Sequence, residues 1–406
     1  MKTIALFALV WLCGAKLVTA QDSIHMEYVC GVGLLAGEEW QQFGAVTALG
    51  FDSAANLYVL DGQAMQVVVF ARDGSHVRTF GRAGDGPGEF RRPSRMAVLR
   101  DGRTVVFDIQ RDAFFVFAPD GEYQRMVRMP PAQGPILNQM PDLDPAGNEL
   151  IPNGEVISTI ISLSNTILAS EPELSRRPVT RLVLTGEQVV TDTLTFAWKA
   201  PPAAQSSRGS IWSGPRGSSF APKLFVGALP DGGVVFSDSS TYRLKVTDTE
   251  GNVIETLTRA FTPELVTEEM RERERERLRA NYAQWGRGLP NNLSDQARSR
   301  LTEFQRALGD DVDNTPFFPE VSVIRDMQTD WLGRIWVRRS AGDPFTDGRL
   351  DILYPDGTLV ATLPAGTLAM PDAFGPDGLV GFIKTDDLGI QSVEVQRLVR
   401  FEPVPS

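Results

Sequence analysis

Asp52-Ser-Ala-Ala-Asn56, then Leu57-Tyr-Val-Leu60, then Val67-Val-Val-Phe70 and Asp73-Gly74, is the stretch that decides the fold. Runs of β-branched and aromatic residues separated by Asp, Asn and Gly read as antiparallel hairpins. The first pattern, a turn and then a short strand, recurs down the chain. The other copies are Asp101-Gly102 before 104–107, Asp144-Pro-Ala-Gly147 before 149–151, Asp231-Gly-Gly233 before 234–236, Asp330-Trp-Leu-Gly333 before 335–337, and Asp377-Gly378 before 379–383. A second hairpin follows most of them, with turn glycines at Gly74, Gly121, Gly186, Gly251 and Gly357. The shortest interval, from Gly74 to Gly121, falls within the roughly 40–50 residues of a propeller blade, and the longer intervals carry insertions.

Six such units predict an all-β fold, a six-bladed β-propeller formed by residues 21–406 as a single domain. One four-stranded sheet cannot bury both faces, whereas six around an axis bury them against each other and leave only short edges. The sixth copy ends with 393–401 and lacks a strand. The stretch 26–34, ahead of the first full copy, can supply it and so tie both chain ends into one blade.

Residues 1–20 carry Lys2, an apolar run over 4–15 and Val18-Thr19-Ala20, the pattern of a signal peptide cut before Gln21. The run is shorter than the roughly 20 residues that span a bilayer. The expectation is a secreted or periplasmic protein with no membrane span. Trp11 and Leu12 before Cys13 fit a lipoprotein site poorly. Lys+Arg of 40 against Asp+Glu of 51, a net charge of −11, argues against a nucleic-acid partner. Two cysteines and two histidines exclude a disulfide scaffold, cysteine clusters and a three-histidine metal site. Once the leader is removed, Cys30 stands alone and reads as a small apolar strand residue.

Gly81-Arg-Ala-Gly-Asp-Gly-Pro-Gly-Glu-Phe90 with Arg92-Pro93 resembles the loop between blades of NHL-repeat propellers, and Asn56-Leu-Tyr-Val-Leu-Asp61 is similar to their strand signature. The similarity is sharp over 46–130 and weaker over 220–260 and 318–400. It implies an exported bacterial six-bladed propeller and mostly binding roles; it implies no particular ligand.

Two stretches fit no strand pattern. Residues 197–219 read as a Pro/Ser/Gly/Arg-rich loop, and 262–310 as a helical insertion between blades four and five. Thr262 before Pro263 offers an N-cap there, and Ser294 can cap a second helix carrying Leu301, Phe304 and Leu308. The alternating charges over 268–279 read as a solvent-facing helix held by i,i+4 pairs, with Leu265, Met270, Leu278, Tyr282 and Trp285 packing on the ring. Both insertions, and the loop 81–90, follow outer strands. In an up-and-down blade those connections leave from the face opposite the tight turns, so all three are expected on one mouth of the ring, where binding concentrates.

Second strands end at that mouth in Asp61, Asp108, Asn153 and Asp238, with Arg339 and Lys384 in the other copies. The four form a ring of oxygens suited to calcium, or else each accepts local turn N–H groups. Arg82, Arg95 and Lys223 can face an anionic or polar ligand. Trp198, Trp212 and Phe220 can stack on a sugar or peptide, or pack the insertion. The four glycines of 81–88 lack the Lys and helix of a phosphate loop. No nucleophile elbow exists, and His25 and His76 fall where no triad is suggested. The expected function is non-catalytic recognition of a protein, peptide or saccharide. The alternative is a divalent-metal hydrolase or lyase of gluconolactonase-like type.

Overall fold

The computed structural model describes residues 22–33, 37–129, 149–150, 156–158, 176–184, 186–201, 218–284 and 312–403, with scattered positions between 299 and 309. The leader 1–20, Asn153, Trp212, Trp285 and the proposed cap at Ser294 lie outside them.

Six four-stranded antiparallel sheets follow one another along the chain. Blade one comprises Val46–Phe51, Leu57–Asp61, Gln66–Phe70 and His76–Phe80, from the axis outward. Blade two is Pro93–Val98, Thr104–Asp108, Ala113–Phe117 and Tyr123–Arg128. Blade three is Glu149–Leu150, Val156–Ser158, Arg176–Val183 and Val190–Trp198. Blade four is Phe225–Ala228, Val234–Ser237, Arg243–Thr247 and Val253–Thr258. Blade five is Ile324–Thr329, Ile335–Ser340, Asp347–Leu353 and Leu359–Leu363.

Blade six takes Ala373–Phe374, Leu379–Thr385 and Gln391–Pro403 from the C-terminus, and its outer strand, Asp22–Val32, from the N-terminus. That outer strand runs antiparallel to the third, from Asp22 opposite Pro403 to Val32 opposite Val393. The ring is therefore fastened by backbone hydrogen bonds between the chain ends, as the missing strand of the sixth repeat required.

The core is not central. It is divided among the six blade-to-blade interfaces, each filled by its own buried cluster. Leu57, Val59 and Val68 of blade one pack toward blade six, while Tyr58, Leu60 and Val67 pack toward Val106 and Phe115 of blade two. Alternate side chains of a strand point to opposite sheet faces, and a blade inside the ring buries both. This is why second and third strands read as unbroken apolar runs rather than alternating ones.

The recurrent turn glycine has two causes. Gly74 and Gly121 have φ of 84° and 87°, the left-handed region that only glycine enters without cost. Each also abuts the outer strand of the preceding blade: a Cβ at Gly74 would lie 3.1 Å from Cys30 Cβ, and one at Gly121 2.8 Å from the Phe80 ring. Cys30 is thus a packing residue, and burial raises its thiol pKa.

One helix, α1 (Glu268–Gln284), follows the outer strand of blade four. Its cap is Thr267, whose Oγ1 accepts the Met270 N–H, and not Thr262. The segment around Pro263 is instead extended, with Leu265 paired to Glu320 and Val321 N–H donating to the Glu264 carbonyl. Long-range pairing overrides the local Thr-Pro signal. The ion pairs also depart from expectation: Arg271–Glu268, Arg275–Glu272 and Arg277–Glu274 are spaced i,i+3. Strict alternation of Glu and Arg puts like charges four apart, so only odd spacings can pair.

Candidate functional site: the mouth of the ring

The described flanks of the two insertions meet. Ser219, at the end of the first, forms a parallel bridge with Phe317, seven residues past the second, and Phe318 N–H donates to the Ser219 carbonyl at 2.9 Å. They therefore share one face, the face of the outer-strand connections. On the opposite face the axis is crossed: Arg100, in the tight turn of blade two, stacks over Trp331 in the tight turn of blade five, with 4.8 Å between guanidinium carbon and ring centroid. Blades two and five stand opposite each other in a ring of six. This pair therefore spans the axis at the tight-turn end.

Asp61, Asp108 and Asp238 lie at this mouth but are buried. Asp61 accepts N–H groups of Gly44 (2.7 Å) and Ala45 (3.1 Å) from the incoming strand, and of Gln63 (2.9 Å) and Ala64 (3.0 Å) from its own turn. Asp108 repeats the pattern with Arg91 (2.6 Å), Arg92 (3.0 Å), Gln110 (3.0 Å) and Arg111 (3.1 Å). Asp238 accepts from Trp198 N–H at 2.7 Å and Lys245 Nζ at 2.8 Å. Each carboxylate is a latch that holds a mouth loop to its blade, satisfying N–H groups that would otherwise be buried unpaired. Among the described residues, no three His, Cys, Asp or Glu side chains gather as a metal cluster would require.

In blade five the position of Asp61 is taken by Arg339, and its counter-charge comes from the next strand: Arg339 Nε lies 3.1 Å from buried Asp351, which also pairs with Arg259 at 3.4 Å. Buried Tyr242 sits beside them; burial first, and then the Asp351 charge, raise its phenol pKa.

The glycine-rich loop is filled by its own side chain. Glu89 accepts the Gly86 N–H at 2.7 Å and pairs with exposed Arg82 at 2.6 Å. His76 stacks on Trp40 at the tight-turn side, with 4.6 Å between centroids, and His25 is exposed on the N-terminal strand. Trp198 packs edge-on to Phe318, and Phe220 contacts Phe317 and Phe345.

Arg95 and Lys223 stand near the mouth ends of the inner strands of blades two and four. Asp326, which the repeat pattern did not single out, has the same register as Arg95: each follows a bulge at the start of an inner strand. Their blades are opposite, so a basic and an acidic residue occupy facing positions at the entrance. Burial pushes the Asp326 carboxyl above the usual carboxylate range; the Met327 N–H, Arg338 and Lys223 counteract it.

A family model described as a 6-bladed beta-propeller matches residues 41–132, the first two blades. Among solved structures, a member of the DUF4221 family from Bacteroides vulgatus is 9% identical, covering 94% of this chain and 99% of that one with a TM-score of 0.51. A protein described as exported, from Bacteroides fragilis, is 11% identical over 92% of this chain and 95% of that one, with a TM-score of 0.47. A gluconolactonase from Xanthomonas campestris is 11% identical over 94% and 97%, with a TM-score of 0.37. No curated protein sequence matches the chain. At these identities the likeness is one of fold.

Proposed function

We propose that this six-bladed β-propeller is an exported, non-catalytic binding protein that recognises a protein, peptide or saccharide at its loop-rich mouth. The observation that carries the reading is the Ser219–Phe317 bridge, which brings the flanks of both long insertions together on the side of the ring opposite the Arg100–Trp331 pair. Elaborated loops on a rigid scaffold are where recognition resides. Export rests on residues 1–20, and no described helix is long and apolar enough to cross a membrane.

The test is a pull-down from the native envelope with wild type, with Arg82→Glu/Lys223→Glu at the mouth, and with Arg72→Glu on the tight-turn face. Loss of the captured ligand with the mouth variant alone is expected. Equal recovery by all three overturns the reading. The alternative, a divalent-metal hydrolase or lyase, requires heat on titration of calcium chloride into the protein.

A further inference from the structure

Helix α1 covers part of the mouth without sharing the core, for none of the six buried clusters includes one of its residues. Several of its contacts beyond the helix are made by arginines. Arg273 stacks over Phe345 at 4.4 Å and pairs with Asp343 at 2.7 Å. Arg271 and Arg275 lie over Phe317 at 5.9 and 5.2 Å, and Arg279 pairs with Asp313 at 2.8 Å.

The surface beneath is built from separate parts of the chain. Phe317 ends the helical insertion, Phe345 and Asp343 belong to the second-to-third-strand turn of blade five, and Phe220 leads into blade four. Phe220 touches both other rings, at 5.6 and 5.7 Å. It holds φ at 65°, a left-handed conformation that is costly for a bulky residue and is retained where surroundings fix it, often at ligand clamps.

Aromatic faces beside a carboxylate select guanidinium groups, by stacking and by directed hydrogen bonds that a lysine ammonium does not reproduce. The hold on α1 is weak by construction. Cation–π contacts and ion pairs at or near the surface are each of modest strength. Like charges four apart within α1, at Glu268/Glu272 and Arg271/Arg275/Arg279, offset part of the support that its i,i+3 ion pairs give the helix. A net charge of −11 draws cationic segments toward the protein.

We propose that Phe220, Phe317, Phe345 and Asp343 form a receptor for arginine-rich peptide segments of a partner protein, and that α1 occupies it as an internal competitor. This rests on the reading of the mouth as the recognition face and narrows its ligand to one chemistry. A partner segment with arginines on one helical face displaces α1.

The experiment uses the mature protein and a labelled synthetic peptide with the sequence of residues 266–284. Binding is read by fluorescence anisotropy at low and high salt. In Arg271→Gln/Arg273→Gln/Arg275→Gln the receptor loses its internal occupant, and binding at least tenfold tighter than to wild type is expected, weakening with salt. Adding Phe317→Ala and Phe345→Ala abolishes the gain, and a peptide with lysine at the three arginine positions binds several-fold more weakly. A folded triple variant that binds no tighter than wild type overturns the proposal, as does equal binding of the lysine peptide. If the triple variant does not fold, Arg273→Gln alone is used with the same criteria. Failure here leaves the pull-down with Arg82→Glu/Lys223→Glu unaffected, so the two readings fall separately.

Discussion

Arg100 and Trp331 meet across the ring axis: the guanidinium lies 4.8 Å from the indole centroid, and Arg100 Nη2 donates to the Trp331 carbonyl at 3.0 Å. The two residues are 231 positions apart and belong to opposite blades. A pair so placed couples blades that share no interface. In a double-mutant cycle, Arg100→Ala and Trp331→Ala are expected to show a coupling of about 0.5–1.5 kcal/mol in urea unfolding. Strict additivity would mean that the pair does not couple the two blades in solution.

The turn glycines separate backbone strain from blade contact. Gly251 and Gly389 both have positive φ, at 87° and 81°. A Cβ at Gly251 would collide with the Leu194 carbonyl of blade three, whereas one at Gly389 would meet nothing within 4 Å. Gly389→Ala should therefore cost only the strain of about 1–2 kcal/mol. Gly251→Ala should cost more than about 3 kcal/mol, because backbone must also move. Thermal unfolding of both variants checks this; equal losses would show that the glycine serves the turn alone.

These residues also show what was legible in the sequence. The turn glycines repeat because every blade presents the same corner to its predecessor, so a local constraint and a tertiary one leave the same mark. The latch aspartates repeat for a like reason: Asp61 and Asp108 each serve the same two loops. The sharing of one face by 197–219 and 262–310 followed from strand parity. What escaped was singular. Arg339 pairs with Asp351, which sits on a neighbouring strand and has no counterpart in the pattern. Trp331 reads as an ordinary turn residue until Arg100 is placed against it. Thr262 loses the cap because Leu265 finds Glu320, more than fifty residues later. Repetition made the scaffold readable, and its exceptions, which concentrate at the mouth and on the axis, were not.

Asp326 gives a pH signature. Burial raises its folded-state pKa above the unfolded value, so the folded state binds the extra proton between the two values. Stability is then lost as pH rises through that window, and ionised Asp326 burdens the fold at neutral pH. Asp326→Asn is expected to raise the urea midpoint at pH 7, with the gain shrinking as pH falls through the window above the unfolded value and absent below about 4. A charge kept at a cost near the mouth makes Asp326 a candidate site residue. A variant less stable than wild type at pH 7 would show instead that Arg338 and Lys223 make the carboxylate a structural partner.

The exchange of Asp for Arg at position 339 predicts an asymmetric response to neutralisation. Asp351 is buried between Arg339 and Arg259, and Thr362 Oγ1 donates to it at 2.8 Å. Asp351→Asn leaves two guanidinium groups without a counter-charge, and Arg339 cannot shed its proton at any ordinary pH even though burial lowers its pKa. Breaking one side of a buried pair costs about 3–5 kcal/mol, whereas replacing the whole pair with apolar groups of similar volume can be neutral. Asp351→Asn should therefore destabilise the protein strongly, and Asp351→Leu/Arg339→Met should recover much of the loss by chemical denaturation. If the double variant is no better than the single one, Arg259 rather than Arg339 is the charge that Asp351 holds in place, and the blade-five latch works through the outer-strand connection of blade four.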